Sequence, residues 1–539
     1  MLVVDDFDSF RMTVSRMLLE FGCARVDTAV NGQEALRLCE DTAYDLILCD
    51  FNLGRGRNGL QVLEEMRHKS LLRKSTLFLL VSAESSREIV LAASDYEPDG
   101  YLTKPLNGKA LRQRLDRALH QRNAMKPIYR AIDEDHIDAA IVLCLQHIDD
   151  GSRYSILCQK LLGKLYLQTG KLELAEQVYR QVLEVRDMDW AQVGMAKVKR
   201  AGGDTATAVG WLEKIVEQHP LCLQAYDELA DCHQALGNND QRQAVLERAV
   251  EVSPVALVRQ QTLAQVATEN NDKIAAAKTY RKVVKLSDNS IHDNVENYLA
   301  FTRAAAAVFT EDEAVGREML RDAVAVIDKV EKKFGKDDGR RRQLQLIECQ
   351  LQVHQGNAKR ANELFLEANT QMDDLGLQDI DTELDRVMAM QALGQPDKAQ
   401  LKLKDLVAAF AEDQAALQKI DRLLEEPVSE ENRRQVAKIN KEGIHLYEEK
   451  SYLAAIECFQ RAKRMFPMHT GVQLNLVQAL AGQMRSGDPN PEWMDLALHC
   501  LKSVEAMLTA THPQFQRYRQ LLQMVRQVEM ERKQQGLKS

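Results

Sequence analysis

YDLILCD, Tyr44 to Asp50, is the stretch on which the reading of this chain turns. Leu46-Ile47-Leu48-Cys49 is a short apolar run with no polar alternation, and it ends on a carboxylate. Such a run reads as a strand buried on both faces of a parallel sheet. The chain opens with a second example, Leu2-Val3-Val4, which ends on Asp5 and Asp6. Two buried strands that finish on acid predict one acidic pocket at the carboxyl edge of a sheet, where open α/β sheets bind their ligands.

Outward from these runs, strand and helix patterns alternate to about residue 122. Strands are predicted over Leu2–Val4, Arg25–Thr28, Tyr44–Cys49, Thr76–Val81 and Gly100–Leu102. Helical periodicity covers Ser9–Glu20, Gly32–Glu40, Gly59–His68, Ser86–Ser94 and Gly108–Gln121. The alternation predicts an α/β doubly wound domain with a five-stranded parallel sheet. The polar residues just past the strands are Asp5, Asp6, Asp50, Ser82 and Lys104. Three carboxylates without a cation would repel and raise one another's pKa. A hard divalent ion with oxygen ligands, Mg²⁺, relieves that repulsion. Lys104 can pair with Asp50 and then with a phosphoryl oxygen, and Ser82 offers a hydroxyl to the same oxygen. A carboxylate held in this way is suited to attack phosphorus and form an acyl phosphate.

Taken together, in this order and each just after a predicted strand, these residues resemble a bacterial response-regulator receiver domain of the single-domain chemotaxis type. The resemblance covers the first 122 residues and implies a flavodoxin-like fold and the following roles. Asp50 is the phospho-acceptor. Asp6 binds Mg²⁺ directly and Asp5 through water, with Asp50 and the backbone carbonyl of Asn52 completing the protein ligands. Ser82 and Lys104 hold the phosphoryl group, and Tyr101 is an aromatic switch that turns inward when Ser82 moves. The Lys104-Pro105 bond is expected to be cis. Asn52 and Glu84 resemble the pair that permits rapid loss of phosphate, so a short-lived phosphoryl state is expected. The phosphoryl donor implied is a histidine kinase or phosphotransfer protein. Beyond Mg-dependent self-phosphotransfer and autodephosphorylation, no enzyme activity is expected.

The sequence departs from this pattern in places. The family has a few more residues before the acid pair, so either the true start lies upstream or the first strand is weakened. Gly54 stands where receivers commonly place proline, and the loop before Gly59 is one residue longer. Arg55 and Arg57 in that loop read as solvated, or as readers of a kinase or of the phosphate.

From Lys126 onward the strand signal stops and a repeat replaces it. Pro220 and Pro254 lie 34 residues apart, and each closes a similar helical block. Tyr226, Leu229, Ala230, Gly237, Leu246 and Ala249 mark the block that ends at Pro254. Gly163, Tyr166, Ala175 and Tyr179 mark an earlier one, Ala208 and Leu212 the one between, and Ala264, Ala276 and Tyr280 the next. Small residues let helices approach and the proline ends the second helix of each block. These blocks resemble tetratricopeptide repeats, clearest over 156–288, in an all-α superhelix. Weaker units follow near Ala361 and Ala399, and 290–340 reads as an irregular helical hairpin. Lys332–Arg342 reads as a charged turn, and Glu425–Arg434, with Pro427, as a linker or hinge. The resulting division is a receiver at 1–122, a repeat array at 123–430, and further repeats with a capping helix at 431–539. In the last part Gly443, Tyr447, Ala455, Phe459 and Pro467 sit at repeat positions. Asn440 and Asn475 fall on first-helix faces, where some members of the family clamp a peptide carboxylate; with only part of that pattern present and the first clamp lysine missing, they read as ordinary polar residues in preference to a clamp.

Composition narrows the output. A net charge of −9 carries no nucleic-acid footprint, and no apolar run approaches the ~20 residues of a membrane span. No basic segment followed by an apolar stretch opens the chain, so no secretion signal is expected. Ten cysteines without a CxxC pair predict reduced thiols and a cytoplasmic protein, with neither zinc site nor disulfide framework. Repeat arrays expose a concave face to partners. The expected function is a phosphorylation-controlled two-component signalling protein whose repeats bind other proteins, with homodimerisation left open. The alternative is a constitutive scaffold whose receiver is a docking or dimerising module independent of phosphorylation.

Overall fold

The computed structural model describes residues 1–73, 76–83, 91, 96, 98–309, 312–334, 338–486, 490–508 and 512–534. Five parallel strands form one sheet: β1 Leu2–Val4, β2 Asp27–Ala29, β3 Leu46–Asp50, β4 Leu77–Ser82 and β5 Gly100–Thr103. Their order is β2-β1-β3-β4-β5, so the direction of strand addition reverses between β1 and β3. Every residue of β1, β3 and β4 is buried, which is why those segments read as unbroken apolar runs.

Alternate residues of each strand feed two cores. Leu2, Val4, Ile47, Cys49, Phe78 and Leu80 pack with helices α2 (Gly32–Asp41) and α3 (Gly59–His68). Val3, Leu46, Leu48, Leu79 and Val81 pack on the other face with α1 (Asp8–Glu20) and α4 (Gly108–Asp133). Asparagine starts three of these helices: Asn31, Asn58 and Asn107 each accept a bond from a first-turn backbone N–H.

The strands and helices fall within two residues of the sequence expectation at every end but one. The predicted helix Ser86–Ser94 lies outside the described residues except for Leu91. The exception is α4, which does not stop at Gln121 but runs through Pro127 to Asp133. Its first half places Leu111 and Leu115 on the sheet, while Met125, Ile128 and Ala131 belong to the first helical core with Ala140, Cys144 and Leu162. The boundary expected at residue 122 therefore falls inside one helix. Arg122 marks the place, donating to Thr76 O at 3.0 Å and pairing with Asp99.

The chain forms two compact units, Met1–Val266 with Lys278–Asn297, and Ala267–Ala277 with Tyr298–Ser539. In the first, helix pairs recur with the predicted period: Ser155–Gln168 with Leu172–Val185, Asp189–Ala201 with Thr205–Gln218, and Leu223–Ala235 with Asn239–Val252. Packing explains the small residues. A Cβ on Gly163 or on Gly194 would lie 2.5 Å from the Tyr179 ring, so that ring fills the space left by two glycines on neighbouring helices. The sequence reading identified Gly163 and missed Gly194. Pro220 and Pro254 follow the ends of second helices, and their carbonyls accept from Tyr226 Oη (3.3 Å) and Gln260 Nε2 (2.9 Å).

The second unit repeats these devices. Gly443 faces the Phe459 ring, and Pro467 O accepts from Gln473 Nε2 at 2.7 Å. Two expectations are corrected here. Lys332–Phe334 and Asp338–Arg342 are helical, so the stretch Lys332–Arg342 is not one charged turn; 335–337 lie outside the described residues. The segment Glu425–Arg434 is pinned, because the buried Asp421 carboxylate accepts from Val428 N, Ser429 N, Ser429 Oγ and Asn432 Nδ2.

Candidate functional site: an acidic pocket at the sheet edge

β1 and β3 are paired in register from Leu2↔Ile47 to Val4↔Cys49, so the residues that follow, Asp5 and Asp50, emerge side by side. Asp5, Asp6 and Asp50 each offer a carboxylate oxygen within 4.8 Å of the others. Asp5 and Asp50 are buried and Asp6 is exposed at the mouth. Lys104, past the end of β5, reaches Asp5 Oδ2 at 2.7 Å and Asp50 Oδ2 at 3.1 Å. Its ammonium also lies 4.3 Å from the centre of the Phe10 ring. The Lys104-Pro105 bond is cis.

Burial raises the Asp50 carboxyl to a pKa of about 6, against the pull of Lys104 and with help from Asp5 and Asp6. Burial opposes the Lys104 ammonium, but its bonds to Asp5 and Asp50 outweigh that and hold its pKa above the ordinary value. Among the described residues Lys104 is the cation paired with the carboxylates of a cluster that carries three potential negative charges. All three donors are hard oxygens, which fits the residues to a Mg²⁺ ion.

Asn52 is exposed, and its Oδ1 accepts from Gly54 N at 3.2 Å. Gly54 has φ +72°, a region closed to proline, and its Cβ direction lies 3.3 Å from Asp6 Oδ2. The unusual glycine therefore lays the loop against the acidic cluster. Arg55 is exposed, whereas Arg57 is half-buried and paired with buried Glu65. Ser82 is the buried last residue of β4, in register with Thr103, and its carbonyl accepts from Lys104 N at 2.8 Å. Tyr101 is half-buried against the cluster of Phe78 and Leu80, with its carbonyl bonded to Arg114. Glu84 lies outside the described residues.

Three residues of the pocket were not singled out from sequence. Arg11 is buried and donates to Asp5 O at 2.6 Å. The Lys104 ammonium sits over the Phe10 ring, and Gly59 packs against the Asp50 backbone. Only Gly59, at a loop-to-helix junction, carries a local signal.

The helical region offers two further candidate surfaces. In the first unit a cleft of about 730 Å³ is lined by first helices of successive pairs, through Lys160, Trp190, Asp227 and Arg259, and also by Glu64 of α3. Arg259 and Asp227 form a two-bond pair there at 2.7 and 2.8 Å. In the second unit Asn475 Nδ2 donates to Asn440 Oδ1 at 3.1 Å, so the two asparagines do meet. Arg517 bonds Asn475 and Gln478, closing that pair from the last helix.

Comparison with known proteins finds matches for the β/α segment and for two stretches of the helical region. Residues 1–116 match the response regulator receiver domain, and 161–187 and 223–255 match the tetratricopeptide repeat. The chain is 29% identical to chemotaxis protein CheY-3 of Vibrio cholerae serotype O1 over 116 residues, 22% of this chain and 88% of that protein. It is 26% identical to chemotaxis protein CheY of Pseudomonas aeruginosa over 122 residues, 23% of this chain and 97% of that protein. A solved tetratricopeptide repeat protein from Parabacteroides merdae aligns at 14% identity over 50% of this chain and 98% of that one, with a TM-score of 0.27. Among the described residues no helix is long and apolar enough to cross a membrane.

Proposed function

We propose, for a chain whose residues 1–116 belong to the response regulator receiver family and whose helical remainder carries tetratricopeptide repeats, that Asp50 accepts a phosphoryl group and the repeats report it to a protein partner. The observation that carries this reading is Asp50 itself. It is a buried carboxylate at a strand end, 3.1 Å from the Lys104 ammonium and grouped with Asp5 and Asp6.

The donor is a phosphohistidine of a histidine kinase or phosphotransfer protein. A carboxylate oxygen of Asp50 forms the new O–P bond as the P–N bond breaks and the imidazole leaves. Lys104, already placed between Asp5 and Asp50, follows the developing charge on the phosphoryl oxygens. Ser82 holds one of those oxygens, and Tyr101 moves further into the apolar cluster it already touches. Asp5, Asp6, Asp50 and the Asn52 carbonyl would hold Mg²⁺, which when bound neutralises the cluster and polarises the phosphoryl group. Asn52 and Glu84 set the rate of hydrolysis. No further enzyme activity is assigned, and the protein acts in the cytoplasm.

Incubation of the chain with acetyl phosphate and Mg²⁺ tests this. Acid-stable, base-labile phosphate should appear on Asp50 and be lost in Asp50→Ala. Phosphate that persists in that variant, or none with the wild type, would sink the reading.

A further inference from the structure

α3 begins on the acceptor. A Cβ at Gly59 would lie 2.3 Å from the backbone oxygen of Asp50, and Gly59 N donates to Phe51 O at 2.8 Å. The loop and α3 are then locked twice. Asn58 and Gln61 exchange capping bonds of 2.9 Å each, and Arg57 pairs with Glu65 two turns into the helix. Displacement of the loop therefore carries α3 with it.

The outer side of α3 is held by the repeats. Gln61 uses Oε1 for the cap and has Nε2 left over, which donates to Leu286 O at 3.3 Å and Asp288 O at 3.2 Å. These carbonyls lie at and just beyond the end of the helix Lys273–Ser287, where carbonyls lack intrahelical donors. Almost one turn along α3, Glu64 Oε1 lies 2.8 Å from His292 Nε2. The contact is mostly dry, with side-chain exposures of 12% for Glu64 and 31% for His292. The His292 carbonyl accepts from Asn297, which in turn accepts from Gln261 on the helix that carries Arg259. Glu64 also lines the 730 Å³ cleft over the repeat helices.

From this geometry we infer that α3 is the receiver's output surface and that its partner is the chain's own repeat segment Leu286–His292. The inference rests on the phosphorylation reading above. The unmodified receiver is docked on the segment by Gln61 and Glu64 and covers one side of the cleft. A phosphoryl group on Asp50 needs room beside the Phe51–Asn58 loop. Gly59 has no slack against Asp50, so the loop and α3 shift together. The paired Gln61 and Glu64 contacts then break, and the cleft opens to a protein segment.

Hydrogen exchange on the full chain, with and without beryllofluoride and Mg²⁺ as phosphoryl mimic, tests this. In the wild type the mimic should speed exchange across 286–297 by about tenfold, a local opening worth one decade in equilibrium. Gln61→Glu keeps the capping acceptor and removes the donor, so it should produce the same change without the mimic. Glu64→Lys should do likewise, and Glu64→Lys with His292→Glu should restore protection. If Gln61→Glu loosens α3 itself, the restored pair alone decides. A response at 98–107 without one at 286–297 leaves the phosphorylation reading standing and overturns the dock as its output. No response at either segment overturns both.

Discussion

At Asp50 burial and the Lys104 charge oppose each other directly. Its folded pKa of about 6 lies above the roughly 3.9 of a free aspartate. Between those values the folded chain binds the proton more tightly than the unfolded one, so stability falls as pH rises through the window. Without divalent ions, Asp50→Asn should therefore be more stable than the wild type at about pH 7, by about 1 kcal/mol once solvent screening and the lost Lys104 contact are discounted. The advantage should fade towards about pH 4, where wild-type Asp50 is protonated. Urea titrations in chelator across that range measure it, and an advantage that grows on acidification would refute the assigned cause. Gly59 gives a second expectation at this scale. Ala at 59 must push backbone against backbone at 2.3 Å, so Gly59→Ala should cost about 3 kcal/mol in the same titrations. Asp5, Asp6, Asp50 and Lys104 were legible because each follows an apolar run, and strand ends in such sheets converge. Arg11, Phe10 and the Arg57–Glu65 pair were not, because nothing in local pattern tells a buried arginine from a solvated one.

Elements were legible where periodicity was strong and misread where composition alone was used. The strands followed from apolar runs and the repeat helices from the 34-residue spacing of Pro220 and Pro254. The end of α4 was not visible, because Met125, Ile128 and Ala131 continue its apolar stripe into a different core. Gly194 escaped because the partner that needs it, Tyr179, belongs to the preceding repeat block. The segment Glu425–Arg434 looked like a linker because a solvated hinge and a capped turn use the same polar residues. Asp421 decides between them, and its value can be measured. Replacing the buried carboxylate by Ala strips the acceptor from Val428 N, Ser429 N and Oγ, and Asn432 Nδ2. Asp421→Ala should cost about 3 kcal/mol and expose the segment to proteolysis. Limited digestion followed by mass spectrometry should find new cleavage between residues 424 and 430. A wild-type digestion pattern would return the segment to the status of a free hinge.

At the scale of the whole molecule the acidic pocket lies in one compact unit, Met1–Val266 with Lys278–Asn297, and a ligand of the folded pocket can stabilise only what unfolds with it. This makes the proposed binding of Mg²⁺ to that pocket a calorimetric question. Mg²⁺ at about ten times its dissociation constant should add about 1.4 kcal/mol to the unit that holds Asp5, Asp6 and Asp50. The unit Ala267–Ala277 with Tyr298–Ser539 has no such cluster among its described residues and should gain nothing. Two thermal transitions are expected, and only one should move with Mg²⁺. Asp6→Asn removes an exposed carboxylate proposed to hold the ion, so it should abolish the shift while leaving the metal-free melting temperature nearly unchanged. Asp5→Asn should behave differently, because Asp5 is fully buried and bonded to Lys104 and to Phe7 N, so its loss should weaken the metal-free protein as well. Equal movement of both transitions would show non-specific ion binding. Retention of the shift in Asp6→Asn would detach the metal from the three carboxylates.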